Sequence, residues 1–170
     1  MSAVVRPLEK ALRGYLTSLY VAMRDQRRAV QEASLEPDPT ARMLDCGCRE
    51  GENTLRLAHR VGTTQPMGLD LNEGVLCQAA RHGILPMLAD LNRCIPLADS
   101  SLDLIVASDV LEHLTDPRMF VVEMHRVLKP GGYLVLDTPN LASWHNIFAL
   151  VLGMQPFSGP NLTTMEDSDL

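Results

Sequence analysis

Hydrophobic positions between Pro7 and Ala33 recur every three or four residues, with Leu8, Leu12, Tyr15, Leu16, Leu19, Tyr20 and Met23 on one side. That is the period of an amphipathic helix, and Pro7 suits its first turn. The other side carries Arg6, Lys10, Arg13, Arg24, Arg27 and Arg28. A basic amphipathic helix can lie on a membrane surface. A helix that covers a sheet or the mouth of a pocket is the simpler expectation. Glu36-Pro37-Asp38-Pro39 stops it and makes a linker.

From residue 41 the pattern changes to short apolar runs that alternate with helical stretches. Strands are expected over Ala41–Cys46, Met67–Leu71, Pro86–Ala89, Leu102–Ser108 and Tyr133–Thr138. Helices are expected over Asn53–Val61, Glu73–His82, Arg118–Leu128 and Ser143–Leu152. Lys129-Pro130-Gly131-Gly132 reads as a sharp stop and turn before the fifth strand. Leu104-Ile105-Val106-Ala107 is apolar on both strand faces, so helices must cover the sheet on both sides. The expected organisation is a helix over 1–35, a parallel α/β domain over 41–153 and a loop-like tail over 154–170.

Composition narrows the function classes. The net charge of −6 argues against a general nucleic-acid binder, which needs a basic surface to neutralise phosphates. Cys46, Cys48, Cys77 and Cys94 offer no second close pair, so neither a zinc site nor a disulfide framework is expected. They read as reduced thiols of a cytoplasmic protein. The longest apolar run, Ile147–Met154, is well short of the ~20 residues of a membrane span.

Candidate chemistry gathers where strands end. The first strand delivers Asp45-Cys46-Gly47-Cys48-Arg49-Glu50-Gly51 to the carboxyl edge of the sheet, where nucleotides bind in open α/β folds. Gly47 and Gly51 permit a tight turn and close approach of a ligand, and the next helix offers N–H groups to a carboxylate. A dinucleotide fingerprint needs glycine where Arg49 and Glu52 stand, which disfavours a nicotinamide oxidoreductase. Asp70, about 25 residues further on, suits the two hydroxyls of a ribose. Asp90 after the third strand can accept from an adenine amino group.

The run Met43–Asn140 resembles the class I S-adenosylmethionine-dependent methyltransferases of the type 11/type 23 small-molecule group. It does so through Leu44–Gly51, Gly68-Leu69-Asp70, Ala89-Asp90-Leu91, Leu102–Leu114, Val127–Leu134 and Thr138-Pro139-Asn140. The resemblance implies a Rossmann-like doubly wound sheet with parallel strand order 3-2-1-4-5 and S-adenosylmethionine as cofactor. It implies that Asp45, Gly47, Cys48 and Gly51 shape the methionine end, Asp70 binds ribose, and Leu71 packs on adenine. Asp90 and Leu91 would contact the adenine edge, while Ser108 and Asp109 would line the passage beside the sulfonium.

For a hydroxyl acceptor, His113 is the candidate base, because imidazole titrates near neutral pH. Asp109-x-x-Glu112-His113 also resembles the Glu-x-x-Glu-His metal motif of quinone-biosynthesis methyltransferases, but its first residue is shorter and no metal is expected. Arg49 departs from the family's glycine. If its backbone needs positive φ, it adds ~1–2 kcal/mol of strain, and its side chain would then crowd or pair with the methionine carboxylate.

The family fold carries two further strands for which no segment is found here. The fifth strand is therefore expected as an exposed apolar edge, open to homodimerisation. The resulting expectation is methyl transfer to a small-molecule acceptor, open among quinone, lipid and sugar intermediates. The alternative is a non-catalytic cofactor-binding or interaction module.

Overall fold

The computed structural model of the chain describes residues 2–140, 142–151 and 153. The elements are α1 (Ser2–Ala33), β1 (Met43–Cys46), α2 (Glu52–Val61), β2 (Met67–Asp70), α3 (Glu73–Arg81), β3 (Leu85–Leu88), β4 (Leu102–Ser108), α4 (Pro117–Val127), β5 (Leu128–Asp137) and α5 (Trp144–Val151). A single 3₁₀ turn, Leu111–His113, follows β4. The expected tail over 154–170 lies outside the described residues, as do the side chains of Leu8, Leu12, Leu16, Leu19, Tyr20 and His145.

All strand pairs are parallel, in the order β3-β2-β1-β4-β5. The strand order reverses between β1 and β4, the place where doubly wound sheets open a crevice at their carboxyl ends. Two compact units are distinguishable. Ala29–Thr138 holds the sheet with α2 to α4, and Met1–Arg28 groups with the stretch from Pro139.

Burial explains the apolar runs. Leu44, Cys46, Leu69, Ile105 and Ala107 cluster with Phe120, Met124 and Val127 of α4. Met43, Leu104 and Val106 cluster with Leu57, Ala58 and Val61 of α2, and with Leu35. Each fully buried large side chain removes ~1.5–3 kcal/mol worth of apolar surface from water. The helices start on side-chain caps where the sequence supplies them. Asn72 Oδ1 accepts from the N–H groups of Gly74 and Val75, and Asp116 accepts from Met119 ahead of Pro117.

Lys129–Gly132 does not end before the fifth strand but forms a bulge within it. Leu128 pairs with Leu102 and Tyr133 with Leu104, so four residues loop out opposite Asp103. Asp103 accounts for this, since both its carboxylate oxygens accept from Lys129 Nζ at 2.8 Å and Oδ2 also accepts from the Arg42 N–H at 2.9 Å. Gly132 passes so close that a Cβ would meet the Asp103 carbonyl at 3.0 Å.

The loop between β3 and β4 is pinned to α4. Arg126 donates to both Glu123 oxygens (2.9 and 2.8 Å) and to the carbonyls of Leu97 and Ile95 (both 2.9 Å), while Glu123 Oε2 accepts from the Ile95 N–H at 2.9 Å. The paired guanidinium holds the Glu123 carboxyl down at about 2.

Candidate functional site

Parallel strands deliver their carboxyl ends to one rim. Register pairs Cys46 with Leu69 and Ala107, Asp70 with Leu88, and Ser108 with Asp137. Asp45, Asp70, Ser108 and Asp137 therefore converge at the same edge, as do the turns that follow them.

The turn after β1 is knitted to β2. The N–H groups of Gly47 and Cys48 both donate to the Leu69 carbonyl, at 2.8 and 3.1 Å. The Arg49 N–H donates to Asp70 Oδ2 at 3.0 Å, and His82 Nδ1 donates to the Glu50 carbonyl at 3.0 Å. Gly47 has φ +74°, and a Cβ there would meet Val110 Cγ2 at 2.9 Å. Gly51, at φ +88°, caps α2 without any side-chain hydrogen bond to the helix start. Arg49 does adopt positive φ, +50°. Its side chain is 80% exposed, with Glu50 at 3.9 Å, so it turns outward and does not crowd the turn. Cys48 points its thiol into a small core with Leu76, Ala79 and Ile84, leaving only its backbone at the turn. Burial pushes that thiol up to about 12.

Asp45 is buried beneath the turn, and its Oδ2 accepts from Thr54 Oγ1 at 2.5 Å. Burial raises its carboxyl to about 7, against the opposing effects of the Thr54 hydrogen bond and the Arg56 charge; Asp137 and Asp70 add like-charge repulsion. A buried carboxyl raised in this way favours a cation placed beside it.

Asp70 Oδ1 accepts from the Asn72 N–H at 2.9 Å, so each carboxylate oxygen has one backbone donor and keeps lone pairs for a ligand. Leu71, next in sequence, is 70% exposed and offers an apolar platform. Asp90 Oδ1 accepts from the backbone and side chain of Asn92 at 2.9 and 3.1 Å, and those bonds lower its pKa. Leu91 packs against the main core rather than facing outward.

Ser108 ends β4, and Asp109 follows in the left-handed region at φ +53°, with its N–H on the Asp137 carbonyl at 3.1 Å. His113 is exposed on the 3₁₀ turn, and Glu112 Oε2 accepts from Thr138 Oγ1 at 3.2 Å. Among the described residues no three His, Cys, Asp or Glu side chains are grouped to hold a metal ion. No described helix is long and apolar enough to cross a membrane.

Two residues of the rim have no conspicuous sequence signal. Thr54 was findable only as an inward position of the first turn of α2. Gln31 of α1 reaches Ser108 and Asp137, which lie 77 and 106 positions away. A cavity of about 240 Å³ opens at the opposite rim, lined by Thr40, Arg42, Thr63 and Gln65 among others. It lies at the amino ends of the strands, away from the carboxylates and glycines.

The donor set at the carboxyl rim fits S-adenosylmethionine. Asp70 keeps lone pairs that a diol could use, exposed Leu71 presents an apolar surface that a flat ring could use, and Asp45 is a carboxyl beneath the turn that could balance an ammonium. The uncapped start of α2 suits a carboxylate.

Comparison with known proteins agrees with this arrangement. Residues 44–136 match the family described as "Methyltransferase domain". The chain is 30% identical over 152 residues to the trans-aconitate 2-methyltransferase of Variovorax paradoxus, covering 84% of this chain and 58% of that protein. It is 33% identical over 110 residues to malonyl-[acyl-carrier protein] O-methyltransferase 1 of Coxiella burnetii, covering 63% of this chain and 38% of the relative. Among solved structures, an S-adenosylmethionine-dependent methyltransferase from Mesorhizobium loti superposes with TM-score 0.58 at 32% identity, covering 64% of this chain and 51% of that one. The chain thus spans between about a third and three fifths of the relatives it matches. The strand order, the glycine turn facing Asp70 and the family match over more than half the sequence agree: the chain belongs to the class I S-adenosylmethionine-dependent methyltransferase family.

Proposed function

We propose that this chain binds S-adenosylmethionine at the carboxyl rim of its sheet and serves methyl transfer to a small-molecule acceptor. The observation that carries the reading is the Arg49 N–H on Asp70 Oδ2, at 3.0 Å, which puts the glycine turn and the ribose candidate on one side of the sheet. Two relatives are named for different acceptors, trans-aconitate and malonyl-[acyl-carrier protein]. The reaction class is carried over from them and the acceptor is not.

The geometry supports the following roles. Asp70 accepts from the ribose hydroxyls on the lone pairs that Arg49 and Asn72 leave. Leu71 packs on the adenine, and Asp90 accepts from its amino group with Leu91 supporting the loop from within. Asp45 and the Gly47–Gly51 turn, with the Cys48 backbone, hold the methionine end. Ser108 and Asp109 line the passage to the acceptor. The bound cofactor supplies a methyl group already activated on a sulfonium. The protein's work is to align the acceptor atom and exclude water. For a hydroxyl acceptor, His113 takes the hydroxyl proton on its imidazole.

Four free thiols, two of them buried, support a reducing, cytoplasmic setting. Strand β5 lies at one end of the sheet order, which supports pairing with a second copy through that edge. Isothermal titration of the chain with S-adenosylhomocysteine tests the binding. Saturable heat with a matching thermal shift is expected, and no heat or shift at millimolar ligand overturns the reading.

A further inference from the structure

Gln31 lies near the end of α1 and is only 6% exposed. Its amide nitrogen donates to Ser108 Oγ at 2.5 Å and to Asp137 Oδ2 at 3.0 Å, while its Oε1 accepts from Arg56 Nη2 at 2.8 Å. Arg56 is itself held by Glu32 and by Asn53 Oδ1. One buried side chain therefore joins the ends of β4 and β5 to α2 at the candidate rim.

The consequence falls on the Ser108 proton. A hydroxyl has one proton to give and lone pairs to accept with. Ser108 Oγ accepts from Gln31, and among the described residues it has no acceptor for its own proton. The carboxylate of its register partner Asp137 is the neighbouring acceptor, and its Oδ2 accepts from the same Gln31 amide and not from Ser108. The proton is left for a ligand, and a hydroxyl that accepts one hydrogen bond donates the next more strongly.

We propose that Gln31 is a positioning residue that holds Ser108 as a hydrogen-bond donor to the carboxylate of the bound cofactor's methionine end. This rests on the reading that the carboxyl rim takes S-adenosylmethionine. Without Gln31, Ser108 turns its proton to Asp137 and the ligand loses its donor.

The test compares two ligands by calorimetry. S-adenosylhomocysteine has the amino-acid end, and 5′-methylthioadenosine lacks it. Gln31→Ala and Ser108→Ala are each expected to weaken S-adenosylhomocysteine about fivefold, the worth of one ordinary hydrogen bond. Both leave methylthioadenosine unchanged. The double variant loses no more than about the larger single effect, because the two residues act as one unit. Gln31→Met keeps the side chain's length and removes only its polar atoms, so it shows the same ligand selectivity and guards against a fold made unstable by truncation. Unchanged S-adenosylhomocysteine affinity in the Gln31 variants, equal losses for both ligands, or additive losses in the double variant would overturn the proposal while leaving cofactor binding intact. A wild-type chain that binds neither ligand overturns the parent reading as well.

Discussion

The Arg49 N–H lies 3.0 Å from Asp70 Oδ2, so the turn after the first strand is fastened to the acid that ends the second. The bond uses Arg49 backbone only. The side chain, which departs from the glycine of the family pattern, is turned to solvent beside Glu50. Asp70 is therefore both a ligand candidate and a brace for the turn.

Replacing Asp70 with Ala removes both functions. The acceptors proposed for the ribose go, and the Arg49 N–H loses its partner. Charge-assisted hydrogen bonds contribute ~1.5–3 kcal/mol each, so S-adenosylhomocysteine affinity is expected to fall at least about tenfold. Asp70→Asn restores part of it by keeping one acceptor oxygen. Titration calorimetry checks both, and an Ala variant with wild-type affinity would remove Asp70 from the site.

How much of this was legible in the sequence depended on range. Leu102–Ser108 stands where its apolar run placed it, because burial on both faces leaves a plain local signature. The same holds for Asp70 and the glycine turn, whose spacing is local to one strand–helix–strand unit. The Lys129–Gly132 bulge was not legible, because its cause is Asp103 on the neighbouring strand. Cys48 and Leu91 stand at the expected rim, but their side chains turn into the core, a choice made by packing neighbours and not by spacing. Gln31 is the extreme case, a polar residue in a helical pattern whose partners come from the far end of the domain.

Arg49 at φ +50° carries the left-handed cost of a side chain with a Cβ, ~1–2 kcal/mol. Arg49→Gly removes that cost, partly offset by the greater freedom of glycine in the unfolded chain. A net gain of ~1 kcal/mol in urea unfolding is expected. Affinity for S-adenosylhomocysteine stays within about twofold, because the guanidinium faces away from the turn and the backbone N–H is retained. A large loss of affinity would show that the side chain folds back over the ligand.

Asp45 makes the stability of the ligand-free chain depend on pH. Burial raises its folded pKa to about 7, against an unfolded value of about 3.9. A raised carboxyl favours the folded state while it is neutral. The stabilisation is full below about pH 4 and is lost as pH rises through about 7. Melting temperature is therefore expected to drop between about pH 4 and 7 and to level off above that, and Asp45→Asn should flatten the fall. On the proposed reading binding runs the other way, because an ammonium held beside Asp45 needs the ionised form. S-adenosylhomocysteine should bind about tenfold more tightly at pH 8 than at pH 6, with proton release in the lower range. A pH-independent affinity would place the ligand's amine elsewhere.

Glu123 gives the opposite sign. Its carboxyl is held at about 2 by Arg126, below an unfolded value of about 4.3. The stabilisation is present above about pH 4.5 and is lost as pH falls toward 2. Glu123 is almost wholly buried, whereas Arg126 is partly open to water, so solvent screens the pair only in part. Removing the carboxylate also leaves the Ile95 N–H without its acceptor. Glu123→Ala is expected to cost ~2–3 kcal/mol in urea unfolding, with an unchanged slope. Glu123→Gln should cost less, since its amide oxygen still accepts from either Ile95 or Arg126. The clamp fixes the loop that follows Asp90, so the Ala variant should also weaken adenine-containing ligands as a class, methylthioadenosine as much as S-adenosylhomocysteine. A stability loss with no effect on either ligand would show that the loop keeps its shape without the clamp and that Asp90 is set by the end of β3 alone.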